Sequence, residues 1–292
     1  MTDAPVLASP LVSTQWLADH LGADGLLVVD ASVVGFTRPD GRGGFLSGHE
    51  QYILEGHVPG ALFADLIEEF SDPDGPYPFT RPDAERFAGA AGAIGIDDAT
   101  TVIVYDSAVG QWASRVWWLF RAFGYDRVAV LDGGLTKWRA EGRAIELGHV
   151  EPAPAVFTAV ERPELWADKA DVEAVVSGER AAALVCSTPP KEFTGETSSR
   201  VRAGHIPGSI SAPAGFLVDR DTNAVLDADA LRARFAPALG APQIITYCGG
   251  GIAAASAALA LTLLGDTSVA VYDASLNEWA ADPEAPLETT AA

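Results

Sequence analysis

The chain is poor in the residues that build disulfide frameworks, metal sites and cationic surfaces. Its 292 residues include two cysteines, five histidines and 19 lysines and arginines, against 40 aspartates and glutamates. Two cysteines cannot form a disulfide framework or a four-cysteine metal site, and the histidines are scattered, so we expect no metal. The formal charge of −21 repels phosphate backbones and anionic lipid headgroups. Nucleic acid and membranes are therefore not expected as partners, and a hydrophobic content of 48% excludes a disordered chain.

Long hydrophobic runs are also absent, apart from one charge-free stretch of 22 residues from Ile244 to Gly265. It opens with β-branched residues and breaks at three glycines. Only about 13 residues, or some 20 Å of helix, remain against a hydrocarbon core of about 30 Å. The stretch therefore predicts a buried strand, a turn and a helix. Residues 1–5 have no basic start and no apolar core, so we expect no signal peptide and a cytoplasmic protein with free thiols.

The sequence contains one internal repeat, made of three segments that recur in the same order. A Gly-His-hydrophobic-Pro-Gly segment occurs at 56–60 and again at 204–208. An apolar run with a tyrosine next to its end occurs at 101–106 and 243–248, and a segment ending in tryptophan occurs at 130–138 and 271–279. The repeat predicts an N-terminal domain at 10–146, a linker at 147–165 and a C-terminal domain at 166–287. The linker contains Glu151-Pro152-Ala153-Pro154, which is poorly suited to regular structure.

Short apolar runs alternate with helical stretches in each copy. We predict strands at 26–30, 101–105, 129–131, 183–186, 244–247 and 269–272, and helices after the two central strands at 114–123 and 252–264. Strands too apolar to alternate, separated by helices, indicate an α/β fold with a mainly parallel sheet and helices on both faces. Ligands bind beyond the carboxyl ends of such strands. Cys248 lies at one of these ends.

Cys248 is followed by Gly249-Gly250-Gly251 and the start of a helix. A cysteine is nucleophilic as its thiolate, and the unpaired amides and partial positive charge of a helix N-terminus favour that form. Glycines let the chain curl so that successive amides face one anion. We expect the amides of residues 249–253 to surround the sulfur and a persulfide formed on it. The alternative is a small buried hydrophobe, but packing alone rarely requires three glycines.

Other candidate residues are assigned structural roles. Cys186 ends an apolar strand with no glycine loop after it, so we expect it to pack in the core. His57 and His205 occupy the repeated Gly-His segment, and the copy without Cys248 has one too, so both are expected to anchor turns. A cysteine phosphatase places an arginine after five intervening residues, and here that position is Ala254. Phosphate recognition is therefore not expected.

The strand–Cys–glycine loop–helix segment, the two Gly-His segments, Asp132-Gly133-Gly134-Leu135-Thr136-Lys137-Trp138 and the repeat together resemble the two-domain rhodanese-like sulfurtransferases. The resemblance extends over almost the whole chain. It implies tandem rhodanese-like domains, the first catalytically silent with Asp106 at the cysteine position and the second using Cys248, with no cofactor. The substrate-binding residues that it implies are Gly249, Gly250, Gly251, Ile252, Ala253, Arg200 and Asp65.

The loop after the cysteine distinguishes sulfur donors within that family. Thiosulfate enzymes tend to place basic residues there, to hold a dianion, whereas mercaptopyruvate enzymes tend to have the neutral loop Cys-Gly-Ser-Gly-Val-Thr. The present loop is neutral and so is closer to the second pattern. Gly250 and Ala253 replace its two hydroxyl residues, so a proton relay through them is missing.

Several residues that bind the sulfur donor in the family are missing from this chain. Thr188 and Glu192 stand where the family often has two arginines, and the segment 76–79 lacks the histidine of the mercaptopyruvate enzymes. Arg200 remains as the match for an arginine that holds the substrate carboxylate, and Arg202 is its nearest competitor.

Three functions remain open from the sequence. The favoured one is an enzyme that takes a sulfane sulfur from a small donor, 3-mercaptopyruvate, as a Cys248 persulfide and passes it to a thiol or cyanide. The second is a thiosulfate sulfurtransferase, with Arg200, Arg202 or Lys191 supplying positive charge. The third is a non-enzymatic persulfide carrier or rhodanese-like scaffold that has lost the donor site. The sequence does not fix the oligomeric state.

Overall fold

The computed structural model describes residues 4–39 and 43–290, so the first three residues of the segment judged for a signal peptide lie outside the described residues. The chain forms two compact units. Unit 1 contains most of the N-terminal half together with residues 219–225, and unit 2 contains most of the C-terminal half together with residues 75–80. Each unit therefore includes a short segment from the other half of the sequence.

Unit 1 is an α/β unit with one five-stranded sheet and one two-stranded hairpin. Its elements are β1 Leu11–Val12, α1 Thr14–His20, β2 Leu26–Asp30, β3 Val33–Thr37, β4 Gly43–Ser47, α2 His49–Glu55, β5 Leu62–Phe63, α3 Ala84–Ala93, β6 Thr101–Tyr105, α4 Gln111–Ala122, β7 Val128–Leu131 and α5 Gly134–Ala140. The sheet order is β1-β7-β6-β2-β5, and every pair in it is parallel. The antiparallel hairpin β3–β4 is separate.

Unit 2 repeats this arrangement without the hairpin. Its elements are β8 Trp166–Ala167, α6 Lys169–Val176, β9 Ala183–Cys186, α7 Pro190–Thr194, β10 Ile210–Ser211, α8 Ala228–Phe235, β11 Ile244–Tyr247, α9 Ile252–Leu263, β12 Val269–Tyr272 and α10 Ser275–Trp279. The sheet order is β8-β12-β11-β9-β10, again parallel throughout. Read from β1 and from β8, the two sheets have one topology, which confirms the predicted α/β fold with two copies of a parallel sheet.

The strands β6 and β11 lie at the centre of the two sheets, and every residue of both is buried. Predicted strand bounds agree to within one residue with the observed ones for all six strands. The predicted helix at 114–123 begins three residues earlier, at Gln111, because the turn before it closes at Gly110 rather than at Ala113. The charge-free stretch forms β11, a turn and α9, as expected. Among the described residues, no helix is long and apolar enough to cross a membrane.

The two repeated Gly-His segments are anchored in the same way in both units. His57 is buried, stacks on Tyr52 at 3.9 Å between ring centroids and forms a backbone bridge with Glu146. His205 is buried, stacks on Phe193 at 3.7 Å and forms a backbone bridge with Glu288. The residue after each histidine donates its amide to the tyrosine hydroxyl that ends the central strand, at 3.1 and 3.0 Å. The histidines have the anchoring contacts that the repeat predicts.

The predicted linker contributes backbone contacts to unit 1. The amide of Ala155 donates to the carbonyl of Gly92 at 2.8 Å, and the amide of Val160 donates to the carbonyl of Phe123 at 2.9 Å. By its contacts, the segment 147–162 is therefore part of unit 1. The predicted bounds of the N-terminal domain (10–146), the linker (147–165) and the C-terminal domain (166–287) stay predictions.

Asp106 occupies the turn between β6 and α4, and it is fully buried. One carboxylate oxygen accepts from the amides of Ala108 and Gly110, at 2.8 and 3.0 Å, and the other from those of Trp112 and Ala113, at 2.9 and 3.0 Å. Burial raises the pKa of this carboxyl, and the amide hydrogen bonds oppose the rise. The turn is thus an amide nest filled by a side-chain anion.

We predict that Asp106→Ala lowers the free energy of unfolding by about 3 kcal/mol or more, because four buried amides lose their acceptor and each unpaired group costs about 1–3 kcal/mol. Urea unfolding followed by circular dichroism measures the change. Asp98→Ala is the control, because Asp98 is exposed and accepts one backbone hydrogen bond, from Thr158. Equal losses in the two variants would contradict the role assigned to the nest.

Candidate active site

Cys248 lies directly after β11 and four residues before the first residue of α9, and it is 3% exposed. Cys186 and Tyr247 are paired in register on neighbouring parallel strands, and both side chains belong to one core cluster. Cys248 and Ser187 each follow the last residue of their strand. The predicted nucleophile is therefore held at the carboxyl end of the central strand, directly after a residue of that core.

Ser275 ties the turn after Cys248 together. Its hydroxyl oxygen accepts from the amide of Cys248 at 3.1 Å and from that of Gly251 at 3.2 Å, and it donates to the carbonyl of Tyr272 at 2.7 Å. The residue is buried and has a φ of +51°, a left-handed conformation that costs a non-glycine residue about 1 kcal/mol or more. One hydroxyl thus fixes both ends of the cysteine turn.

The three glycines serve two different purposes. Gly251 is the N-cap of α9 with a φ of +76°, which glycine adopts without strain. At Gly249 and Gly250 the ends of other side chains approach the Cα atoms closely. A Cβ on Gly249 would overlap the Arg200 guanidinium, and one on Gly250 would lie 2.7 Å from the Asn277 amide nitrogen. Of the three, Gly251 has the left-handed φ, and the prediction that the triplet lets the backbone curl around the sulfur stays a prediction.

Arg200 lies against the cysteine turn, and its predicted contact with the substrate stays a prediction. Its Nε donates to Asn277 Oδ1 at 3.2 Å, its Nη1 donates to Glu192 Oε2 at 2.7 Å, and its Nη2 is the atom closest to Gly249. Its competitor Arg202 donates to the carbonyl oxygens of Trp279, Ala280, Asp282 and Ala285. The guanidinium of Arg202 therefore binds the backbone at and after the end of α10. The guanidinium beside the cysteine turn is that of Arg200.

The two units can be compared at this turn because both helices begin after a left-handed glycine, Gly110 with φ +80° and Gly251 with φ +76°. Counted from these caps, the four amides that bind the Asp106 carboxylate in unit 1 correspond to those of Gly249, Gly251, Ala253 and Ala254 in unit 2. The amide of Gly251 donates to Ser275. The first-turn amides of α9, like those of any α-helix, have no carbonyl partner inside the helix. That these amides surround the sulfur stays a prediction.

The remaining site residues lie in different surroundings. Asp65 is in unit 1, where one carboxylate oxygen accepts from the amides of Ile67 and Glu68, at 2.9 and 3.0 Å. Its predicted substrate contact stays a prediction. Cys186 has the packing position expected of it, with its sulfur 3.1 Å from Thr188 Oγ1, and burial raises its pKa. The carbonyl of Pro78, in the segment that lacks the family histidine, lies 3.4 Å from the position of a Cβ on Gly250.

Sequence reasoning missed three polar residues of the site. Ser275 aligns in the repeat with Gly134, which has a φ of +53°, and a serine in place of that glycine is the one sequence signal of its unusual position. Nothing in the sequence distinguishes Asn277. Ser187 follows Cys186, and its buried hydroxyl has no hydrogen-bond partner among the described residues. Glu192 was noted only for the arginine that it replaces, and its ion pair with Arg200 was not foreseen.

Comparison with known proteins gives one consistent result. Residues 13–141 and 177–282 match the Rhodanese-like domain. A 3-mercaptopyruvate sulfurtransferase of Escherichia coli is 33% identical over 281 residues, covering 95% of this chain and 97% of the relative. A thiosulfate sulfurtransferase of Bos taurus is 37% identical over 288 residues, covering 94% and 93%. The crystal structure of SseA from Escherichia coli, described as a 3-mercaptopyruvate sulfotransferase with the rhodanese fold, superposes with a TM-score of 0.80 at 33% identity, covering 91% and 98%.

We predict that Ser275→Ala lowers the free energy of unfolding by about 2–3 kcal/mol, because two buried amides lose their acceptor. Ser275→Gly loses the same hydroxyl but relieves the left-handed strain, so it should be the less destabilised of the two. Urea unfolding of both variants measures the difference. A glycine variant less stable than the alanine variant would show that the backbone conformation at this position carries no strain.

Proposed function

The chain belongs to the rhodanese-like sulfurtransferases, and from this premise we propose that it moves sulfur from 3-mercaptopyruvate, through a persulfide on Cys248, to a thiol or cyanide. The observation that carries the proposal is the position of Cys248, at a strand end before a helix N-terminus, with one guanidinium beside an uncharged glycine turn. The relatives' names imply a small-molecule sulfur donor and acceptor. No cofactor enters the proposed chemistry.

The first half-reaction forms the persulfide. The Cys248 thiolate attacks the sulfur of 3-mercaptopyruvate, the new S–S bond forms and the carbon–sulfur bond breaks. The electron pair of that bond goes to the donor carbon, which takes up the proton released from the donor thiol, so pyruvate leaves. The product is an anionic persulfide at the N-terminus of α9, where first-turn amides and the helix dipole favour negative charge.

The second half-reaction returns the enzyme to its starting state. An acceptor thiolate attacks the outer sulfur of the persulfide, the S–S bond breaks and its electron pair restores the Cys248 thiolate. Cyanide reacts in the same way and leaves as thiocyanate. Because the first product leaves before the acceptor reacts, the proposal implies ping-pong kinetics.

Arg200 is the proposed anchor for the donor carboxylate. Two of its three nitrogens are occupied by Asn277 and Glu192, which fixes the plane of the guanidinium and turns Nη2 toward Gly249. The N–H groups of Nη2 can donate hydrogen bonds to one carboxylate, and 3-mercaptopyruvate has one carboxylate. Asp65 is proposed as a further substrate contact on the strength of the family resemblance alone.

The thiosulfate alternative needs more positive charge than the described site offers. Residues 249–253 are uncharged, Arg202 is held by four backbone carbonyls and Lys191 is exposed. These observations favour 3-mercaptopyruvate over a dianion. The carrier alternative predicts that no donor loads Cys248 directly, and the mass experiment below separates it from the enzyme.

The setting of the reaction is part of the same proposal. Two free cysteines suit a reducing, cytoplasmic compartment. The formal charge of −21 argues against nucleic acid and anionic membranes as partners. The oligomeric state is left open.

We predict that incubation with 3-mercaptopyruvate increases the intact mass of the protein by one sulfur atom, that added cyanide or a thiol removes it, and that Cys248→Ser abolishes the gain. Electrospray mass spectrometry of the undigested protein measures this. Cys186→Ser serves as the matched control and should still gain the sulfur. If no donor produces an adduct on the wild-type protein, the carrier alternative is favoured instead.

We predict that Arg200→Met raises the KM for 3-mercaptopyruvate about tenfold or more, because the carboxylate loses a charge-assisted hydrogen bond worth about 1.5–3 kcal/mol. Steady-state pyruvate release measures it. Lys191→Met removes an exposed positive charge from the same segment and should leave KM unchanged. A larger effect at Lys191 than at Arg200 would overturn the assignment of the anchor.

A further inference from the structure

An acidic residue is paired with the guanidinium at the cysteine turn. Glu192 Oε2 accepts from Arg200 Nη1 at 2.7 Å, and the side chains are only 23% and 17% exposed. Glu192 lies in α7 (Pro190–Thr194), and Arg200 lies in the chain that follows. The pair is therefore largely shielded from solvent, and its charges are screened less by salt than those of a surface pair.

The other charged side chains of this segment are directed elsewhere. Arg202 donates to backbone carbonyls after α10. Lys191 is exposed, and so is Glu196, whose carboxylate accepts from Thr194 at 3.2 Å. Among the described residues 186–202, Glu192 is the acidic group that contacts Arg200. The net charge of the guanidinium and its partner is thus close to zero.

We propose that Glu192 is a specificity-determining residue that balances Arg200, so that the site accepts monoanionic sulfur donors and rejects dianionic ones. This inference rests on the proposed function and specifies the class of donor. A monoanion such as 3-mercaptopyruvate can use the Nη2 edge that faces Gly249 while Glu192 retains Nη1. A dianion such as thiosulfate gains little net attraction from a guanidinium whose charge is balanced, and the Glu192 carboxylate repels it twice as strongly as it repels a monoanion at the same distance.

The size of the effect follows from the charge difference between the two donors. The Glu192 carboxylate repels both charges of a dianion but only the single charge of a monoanion. Removing the carboxylate charge therefore relieves more repulsion for the dianion, by the energy of one additional pair of like charges. At a separation of several ångströms and an effective dielectric constant of about 20, that repulsion is large enough to change a rate ratio about tenfold or more, even after screening. Glutamine at position 192 keeps an oxygen that accepts from Arg200, so the geometry of the pair is preserved.

The test compares kcat/KM for thiosulfate and for 3-mercaptopyruvate in the full-length protein, with cyanide as acceptor for both donors. Glu192→Gln should raise the ratio of thiosulfate to 3-mercaptopyruvate about tenfold or more. Glu196→Gln is the matched control, because it removes the same charge four residues along the chain without touching Arg200. Its ratio should equal that of the wild type. Thermal unfolding of each variant shows whether the fold is retained.

The outcomes separate this inference from the proposed function. An unchanged donor ratio in a folded Glu192→Gln variant would overturn the charge-balancing role while leaving the sulfurtransferase proposal intact. An equal fall in both activities would mean that Glu192 only supports the position of Arg200, and would also overturn it. If the wild-type protein takes sulfur from neither donor, the proposed function fails, and this inference fails with it.

Discussion

Both units depend on the turn that joins the buried central strand to the N-terminus of the next helix. In unit 1 the residue that follows the strand is Asp106, whose carboxylate is held by four backbone amides. In unit 2 the same position is Cys248, and its turn is held by the hydroxyl of Ser275. Both turns end at a left-handed glycine, so the two units share the backbone conformation at that cap and differ in the group that holds the turn.

The cysteine turn also shows how few groups hold such a site. Ser275 closes the turn from one side, and Arg200 with Asn277 covers it from the other. A Cβ at 249 or 250 would come close to the ends of the Arg200 and Asn277 side chains, which would have to shift. The glycine triplet, the serine in a left-handed conformation and the arginine are therefore in contact as parts of one arrangement.

The sequence was sufficient for the fold class and for six of the strands, because the central strands are uniformly apolar and the repeat places equivalent elements in the same order. The two-residue edge strands and the hairpin β3–β4 are too short or too polar to give such a pattern. The roles of Cys248 and Arg200 stay predictions. The sequence was insufficient for side-chain pairs that lie far apart along the chain. The contacts of Arg200 with Asn277 and of Ser275 with Cys248 bring together residues 77 and 27 positions apart. No local sequence pattern predicts such contacts. The Glu192–Arg200 ion pair depends on the conformation of the loop that follows α7.

The reciprocal segments, 75–80 in unit 2 and 219–225 in unit 1, bear on how the chain can be divided. Each half of the sequence supplies a short segment that the unit formed mainly by the other half contains. A fragment cut between the two halves would therefore lack one segment of the unit that it has to form.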